Sequence, residues 1–141
     1  MSKQKTKKQP EKKGEVVKLT NGMIDGFFHN QSIKKLRRLP GLRADVRFKL
    51  FRLWETILGS PQAKALGDTT NHMIAEHNKT QEKVLEKDRT TLAIEDPKVQ
   101  ELFRVDSGLA VEKVIIASSQ LHPDFTPADM SSTKWIIEFE E

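Results

Sequence analysis

Residues 42–58 read LRADVRFKLFRLWETIL and form the most strongly patterned segment of the chain. Its main apolar residues recur at the three- and four-residue spacing of one helical stripe: Val46, Leu50, Leu53 and Ile57. Three further apolar residues widen the stripe: Phe51, Trp54 and Leu58. So broad an apolar face predicts the central helix of the core.

The segment upstream predicts one helix with an interruption. Thr20 or Asn21 can cap this helix, because either side chain accepts a hydrogen bond from a free first-turn N–H. The apolar residues of this helix cluster on one face: Met23, Ile24, Phe27 and Phe28. At about 100° per residue Ile33 falls on the far side from Ile24, so we expect a break or a change of buried face near residues 29–31. Pro40-Gly41 then predicts a turn before the central helix.

The segment downstream of the central helix predicts three more helices. Gly59-Ser60-Pro61 ends the central helix, and Ser60 can cap the next one with Pro61 in its first position. The clearest part of that region is a polar helix over roughly residues 70–88, with a narrow stripe: Met73, Ile74, His77, Val84 and Leu85. Asp96-Pro97 predicts the start of a short helix, and residues 126–129, TPAD, resemble a capping box that opens the last one.

Two β-prone segments complete the fold prediction. One lies at residues 16–19 and the other at residues 111–116, where branched apolar side chains predominate. The closing residues 135–139, WIIEF, are apolar enough to pack on the core. We predict a mainly helical α+β domain of four to five helices, with a small two- or three-stranded sheet made from the Val16 and Val111 segments.

The net positive charge of the chain comes from its first residues. Six lysines precede residue 14 against one acid, Glu11, which gives +5: Lys3, Lys5, Lys7, Lys8, Lys12 and Lys13. The other 127 residues carry 18 basic and 19 acidic residues, which gives −1. Residues 1–14 have no large apolar side chain after Met1, so burial cannot offset their ordering entropy. We predict a disordered lysine-rich tail at 1–14 and one helix-rich domain at 15–141.

A second basic segment runs from residue 34 to residue 52. It carries one acid, Asp45, and eight basic residues: Lys34, Lys35, Arg37, Arg38, Arg43, Arg47, Lys49 and Arg52. The first six, with the tail lysines, are candidate polyanion-binding residues, because lysine and arginine bind phosphates. The alternative is the solvated rim of two core helices. Helical spacing favours the alternative, since Arg52 lies about 180° around the helix from Arg43.

The sequence carries no motif of catalysis or metal binding. It has no cysteine, which excludes disulfides, thiolate metal sites and cysteine nucleophiles. His72 and His77 are five residues apart, about 140° around a helix, and cannot share a metal as an i, i+4 pair could. His77 lies on an apolar stripe, where a partly buried packing histidine is expected. We predict a protein that is not an enzyme and that holds no metal or cofactor.

Three local patterns resemble a family of short tailed-phage proteins of unknown function. They are VKLTNG at residues 17–22, the Leu39-Pro40 break, and the closing segments FTPAD at 125–129 and IIEFEE at 136–141. The resemblance covers about residues 16–141. It implies a phage or prophage origin and a role through contacts with other molecules, and it supplies no catalytic residues.

We therefore predict a non-catalytic phage-type protein that binds another macromolecule, either in virion assembly or against a host factor. The expected partner is a phage or host protein. The alternative is a nucleic-acid-binding protein that uses the lysine tail and the 34–52 region.

The apolar runs are too short for a membrane-spanning helix, and the N-terminus lacks the apolar stretch of a secretory signal. The expected location is the host cytoplasm or the virion.

Overall fold

A computed structural model of the chain describes residues 14–141, so the predicted disorder of residues 1–14 falls almost wholly outside the described residues. The elements in chain order are β1 (Val16–Thr20), α1 (Asn21–His29), α2 (Gln31–Arg38), α3 (Ala44–Leu58), α4 (Pro61–Gln81), α5 (Pro97–Arg104), β2 (Asp106–Glu112), β3 (Val114–Ala117), α6 (Pro127–Thr133) and β4 (Ile137–Glu140). The predicted mainly helical α+β class is confirmed. Residues 14–141 contain six α-helices, one more than the upper number predicted, because the region between residues 21 and 38 holds two.

Helix α3 is the central helix of the core. The predicted stripe is confirmed, since all four of its residues are buried: Val46, Leu50, Leu53 and Ile57. Trp54 and Leu58 are half-buried and pack against the core. The prediction for Phe51 is wrong, because this side chain is 49% exposed. Phe51 lies about 100° around the helix from Leu50 and therefore points away from the core.

Helices α1 and α2 meet at the predicted break. The Thr20 hydroxyl accepts a hydrogen bond from Met23 N at 3.1 Å and caps α1. Asn30 ends α1 and caps α2, because its side-chain oxygen accepts from Ile33 N at 3.0 Å. The change of direction buries Phe27, whose ring centre lies 4.9 Å from the Trp54 ring of α3. The break thus lets α1 pack against α4 and α5, while α2 packs against α3 and α6.

The strands form two separate sheets. β1 pairs antiparallel with β2, so the predicted sheet of the Val16 and Val111 segments is confirmed, and Val17 lies opposite Val111. The second sheet was not predicted. β3 pairs parallel with β4, with Val114 opposite Ile137. Residues 111–116 are not one strand, because the chain changes partners at Lys113. Lys113 N donates to Glu15 O, whereas Val114 N donates to Ile136 O.

Helix α4 begins nine residues before the predicted polar helix and ends seven residues before its predicted end. Ser60 and Pro61 start it as predicted, since the Ser60 hydroxyl accepts from Ala63 N at 3.0 Å. The helix ends at Gln81, whose side-chain oxygen accepts a hydrogen bond from Thr90 N as the chain turns back. At about 1.5 Å per residue, the 21 residues of α4 span about 31 Å.

The last 15 of the 21 residues of α4 and the segment that follows make up a region we call the arm, residues 67–96. None of its side chains is buried, whereas Ala63 and Leu66 in the first six residues of α4 are. The arm therefore lies outside the hydrophobic core.

None of the helices between residues 14 and 141 is both long and apolar enough to cross a membrane.

Candidate binding surfaces

The basic residues of the 34–52 segment are divided between two surfaces. Lys34, Lys35 and Arg38 line an open groove of about 410 Å³ beside α2, together with Asp124. The other basic residues belong to the turn and to the solvent side of α3, except Arg37, which belongs to α2 but does not line this groove. The six tail lysines lie among residues 1–13, outside the described part of the chain.

Lys35 is an anchoring residue between two helices. Its Nζ lies 2.8 Å from Oδ2 of Asp129, and Ser32 donates a hydrogen bond of 2.7 Å to the other carboxylate oxygen. Asp129 also accepts from Thr126 N, which completes the predicted capping box of α6. Hydrogen bonds from Lys35, Ser32 and Thr126 hold the pKa of Asp129 well below its usual range. Lys35 is thus already paired with an anion inside the fold.

Three arginines of the basic segment also have partners. The Arg37 guanidinium lies 4.1 Å from the centre of the Trp54 ring. Arg47 donates a hydrogen bond of 2.6 Å to the carbonyl oxygen of Leu39, and Arg43 lies 3.1 Å from a carboxylate oxygen of Asp45. The contacts of Arg37 and Arg47 involve no carboxylate, and they hold both side chains at one flank of α3.

The solvent side of α3 carries two exposed aromatic side chains, which we call the phenylalanine ridge, Phe48 and Phe51. Phe48 is 60% exposed and Phe51 is 49% exposed. The Arg52 guanidinium lies 5.7 Å from the centre of the Phe48 ring. Sequence reasoning missed this ridge because it assigned Phe51 to the core. The signal was present, since Phe48 lies about 200° around the helix from Val46.

A second groove separates α3 from strands β2 and β3. It measures about 450 Å³ and is lined on the α3 side by Lys49, Arg52 and Thr56. Glu112 and Lys113 line the strand side, where Lys113 forms a 3.4 Å ion pair with Glu15. Gly14 also lines this groove, and its Cα packs so closely on the Lys113 carbonyl that a side chain there would clash.

Residues 15–141 have almost no net charge, but their positive and negative side chains are concentrated in different parts of the chain. The 34–52 segment carries eight basic residues and one acid, a net +7. The rest of residues 15–141 carries ten basic and eighteen acidic residues, a net −8. The solvent side of α2 and α3 is therefore strongly positive relative to the remainder of the domain.

The arm exposes three aliphatic side chains to solvent. Ile74 is 41% exposed, Leu85 is 68% exposed and Ile94 is 57% exposed. Hydrogen bonds within the arm hold its two halves together. Nε2 of His77 lies 3.1 Å from the Thr90 carbonyl oxygen, and Arg89 donates to the Val84 carbonyl. His77 is half-buried with a local partner, as predicted. The predicted apolar stripe of this region is therefore exposed at two of its members, Ile74 and Leu85.

The histidines are distributed over separate parts of the chain. His29 lies 3.7 Å from Asp25 on α1, His122 lies 3.4 Å from Asp124 in a loop, and the other two lie on α4. Within residues 14–141 no group of three or more histidine, aspartate or glutamate side chains is arranged to hold a metal ion.

Comparison of the chain with protein-family models, with curated proteins and with solved structures gave no match. The resemblance to short tailed-phage proteins stays a prediction from the sequence patterns.

Proposed function

We propose that this is a non-catalytic protein that acts by binding another protein, and that the arm is its contact surface. The observation that carries the proposal is the contrast between order and burial in residues 67–96. Residues 67–81 are the last part of a 21-residue helix, and the residues after Gln81 fold back onto it through specific hydrogen bonds. None of the side chains of residues 67–96 is buried.

The energetics of the arm favour a partner. Most helical stability in proteins comes from packing of an apolar face, and short isolated helices are marginal in water. The arm instead exposes Ile74, Leu85 and Ile94. Full burial of one such side chain stabilises a complex by about 1.5–3 kcal/mol. Covering the exposed parts of these three side chains would therefore favour a complex.

The charge of the arm also fits a protein partner. Residues 67–96 carry seven acidic and four basic residues, interspersed around the exposed aliphatic side chains. An apolar centre with a polar rim of mixed sign is the usual arrangement of a protein–protein interface. The net negative charge makes this region unsuitable for a nucleic acid.

The biological setting we propose follows from the sequence resemblance. A phage or prophage protein of this kind would bind a virion component during assembly or a host factor, and it would reside in the host cytoplasm or the virion. The binding chemistry of the arm is the same in either case.

Affinity capture from the cells that naturally make the chain tests the proposal. The baits are the full chain, the arm variant Ile74→Ser/Leu85→Ser/Ile94→Ser, and a control that removes three exposed apolar side chains outside the arm, Val16→Ser/Phe28→Ser/Val105→Ser. Nuclease treatment and about 150 mM salt suppress capture through nucleic acid. The proposal predicts a protein held by the wild-type and control baits and reduced at least tenfold with the arm variant. Equal capture by all three baits would refute the arm as the contact surface.

A further inference from the structure

We propose that the phenylalanine ridge of α3 binds single-stranded nucleic acid, with bases stacked on Phe48 and Phe51 and phosphates held by the flanking cations. This function uses a different surface from the arm and is independent of the protein-binding proposal. The observation behind it is an exposed aromatic pair set between basic side chains on the most positive segment of the domain.

The two rings suit base stacking. Phe48 and Phe51 are three residues apart, so they lie on the same side of the helix with an offset of about 4.5 Å along its axis. Both are about half-exposed or more, although α3 has ample core contacts on its other side. Exposed aromatic side chains bind single strands without sequence preference, because every base offers a flat π-face.

Cations flank the ridge on both sides. Arg47 and Lys49 lie about 100° to either side of Phe48 around the helix. Arg52 lies beside Phe48, with its guanidinium 5.7 Å from the ring centre. On the Arg47 side, the stacked Arg37 extends the positive flank across Trp54 onto α2. A strand that runs along the ridge would therefore place phosphates near cations wherever a base meets a phenylalanine.

The acidic side chains near the ridge limit where the strand can lie. Glu55 follows Phe51 by one helical turn, and Glu112 lines the groove on the strand side. Both would repel phosphate. The binding site is thus confined to the first two thirds of α3, where Asp45 is the only acid and is paired with Arg43.

Gly14 connects the domain to a further set of positive charges. Gly14 lines the groove that contains Lys49 and Arg52, and the chain continues from it into the segment with six lysines. At up to about 3.5 Å per residue, covalent connection keeps these lysines within reach of a strand bound on the ridge. The tail supplies electrostatic affinity without base recognition, and the ridge supplies stacking.

A single strand fits this chemistry better than a duplex or an acidic protein. In a duplex the bases are stacked on one another and their faces are not available to Phe48 and Phe51. An acidic protein would satisfy the cations but offers no regular series of flat faces to the two rings. The ridge and its flanks together indicate a ligand with both flat apolar faces and regularly spaced negative charges.

Fluorescence anisotropy with a labelled oligothymidylate of about 20 nucleotides tests the proposal on the full chain. Phe48→Ala/Phe51→Ala is expected to weaken binding by about tenfold or more, because two stacking contacts are lost. The matched control is Phe28→Ala, which removes a 38% exposed phenylalanine from α1. It is expected to leave the affinity unchanged. Thermal unfolding of each variant verifies that the fold is retained.

The contribution of the cations to binding is measured separately, from the salt dependence of the affinity. Arg47→Gln/Arg52→Gln is expected to flatten the slope of log affinity against log salt, while Lys83→Gln/Lys87→Gln on the arm leaves it unchanged. Deletion of residues 1–13 is expected to lower the affinity and to flatten its salt dependence. In the shortened chain, Phe48→Ala/Phe51→Ala is expected to weaken binding by the same factor as in the full chain. Three results would overturn the proposal: equal binding by the ridge variant and wild type, equal affinity for the matched duplex, or displacement of the oligonucleotide by polyglutamate at the same charge concentration.

Discussion

The ammonium group of Lys35 lies 2.8 Å from a carboxylate oxygen of Asp129 and joins α2 to α6. These residues are 94 positions apart in the chain. The same carboxylate caps α6 through Thr126 N, so one side chain completes a local motif and a distant contact. Lys35 was a candidate for polyanion binding from its position in a basic run. Its observed partner gives it a role in stability.

Asp129→Asn is expected to destabilise the fold at pH 7 by about 1–3 kcal/mol, from the loss of a charge-assisted contact and part of a helix cap. The hydrogen bonds to Asp129 lower its pKa in the folded state, so its stabilisation is present above the usual carboxyl pKa and is lost as the pH falls. Urea unfolding at pH 7 and at about pH 3 measures this. The difference between wild type and variant should shrink at the lower pH.

Asp68→Asn is the control for this experiment, because Asp68 is an exposed residue of α4. It is expected to change the free energy of unfolding by less than about 0.5 kcal/mol at either pH. A difference between Asp129→Asn and wild type that stays constant from pH 7 to pH 3 would contradict the assigned role of the carboxylate.

Leu50→Ala is expected to lower the free energy of unfolding by about 2–5 kcal/mol, because it opens a cavity under α3. Leu50 is 7% exposed, whereas Phe48 on the same helix is 60% exposed. Phe48→Ala should therefore cost less than about 0.5 kcal/mol. Denaturant unfolding of the two variants compares the inner and outer sides of α3. Similar losses for both would contradict the assignment of these two sides.

Ser60→Ala is expected to cost about 0.5–2 kcal/mol. The Ser60 hydroxyl is buried, accepts from Ala63 N and donates to the Ile57 carbonyl, so it links the end of α3 to the start of α4. Ser131→Ala, at an exposed position inside α6, provides the comparison in thermal unfolding. Equal melting temperatures for the two variants would contradict the cap assignment.

Local signals predicted much of the fold. The stripe of α3 and the caps at Thr20, Ser60 and Thr126 depend on residues within four positions of each other, and each is confirmed. The division of residues 111–116 into two strands could not be predicted in this way. It depends on Glu15 and Ile136, which are distant in sequence and whose carbonyl oxygens accept from the successive backbone N–H groups of Lys113 and Val114.

The candidate surfaces were harder to predict than the fold. The periodicity of Met73, Ile74 and His77 continues to Val84, and no proline or glycine marks the end of α4 at Gln81. The turn depends instead on the contact of Gln81 with Thr90. Periodicity alone also gives no measure of whether a stripe is covered, so the exposure of the arm required the tertiary structure.

The arm of the free protein is expected to exchange its amide hydrogens faster than α3. Few buried contacts oppose local opening in residues 67–96, whereas α3 is covered by both neighbouring helices and strand β3. Hydrogen exchange followed by mass spectrometry of overlapping peptides measures both regions in one experiment. Protection of the arm equal to that of α3 would mean that the arm is more stable than its burial indicates.

The same exchange measurement on the complex with the captured protein tests the central claim most directly. If the arm is the contact surface, peptides that contain Ile74, Leu85 and Ile94 should gain protection on binding, while peptides of the α2 groove and the phenylalanine ridge should exchange as in the free chain. Gained protection confined to α2 or α3, with the arm unchanged, would contradict the account.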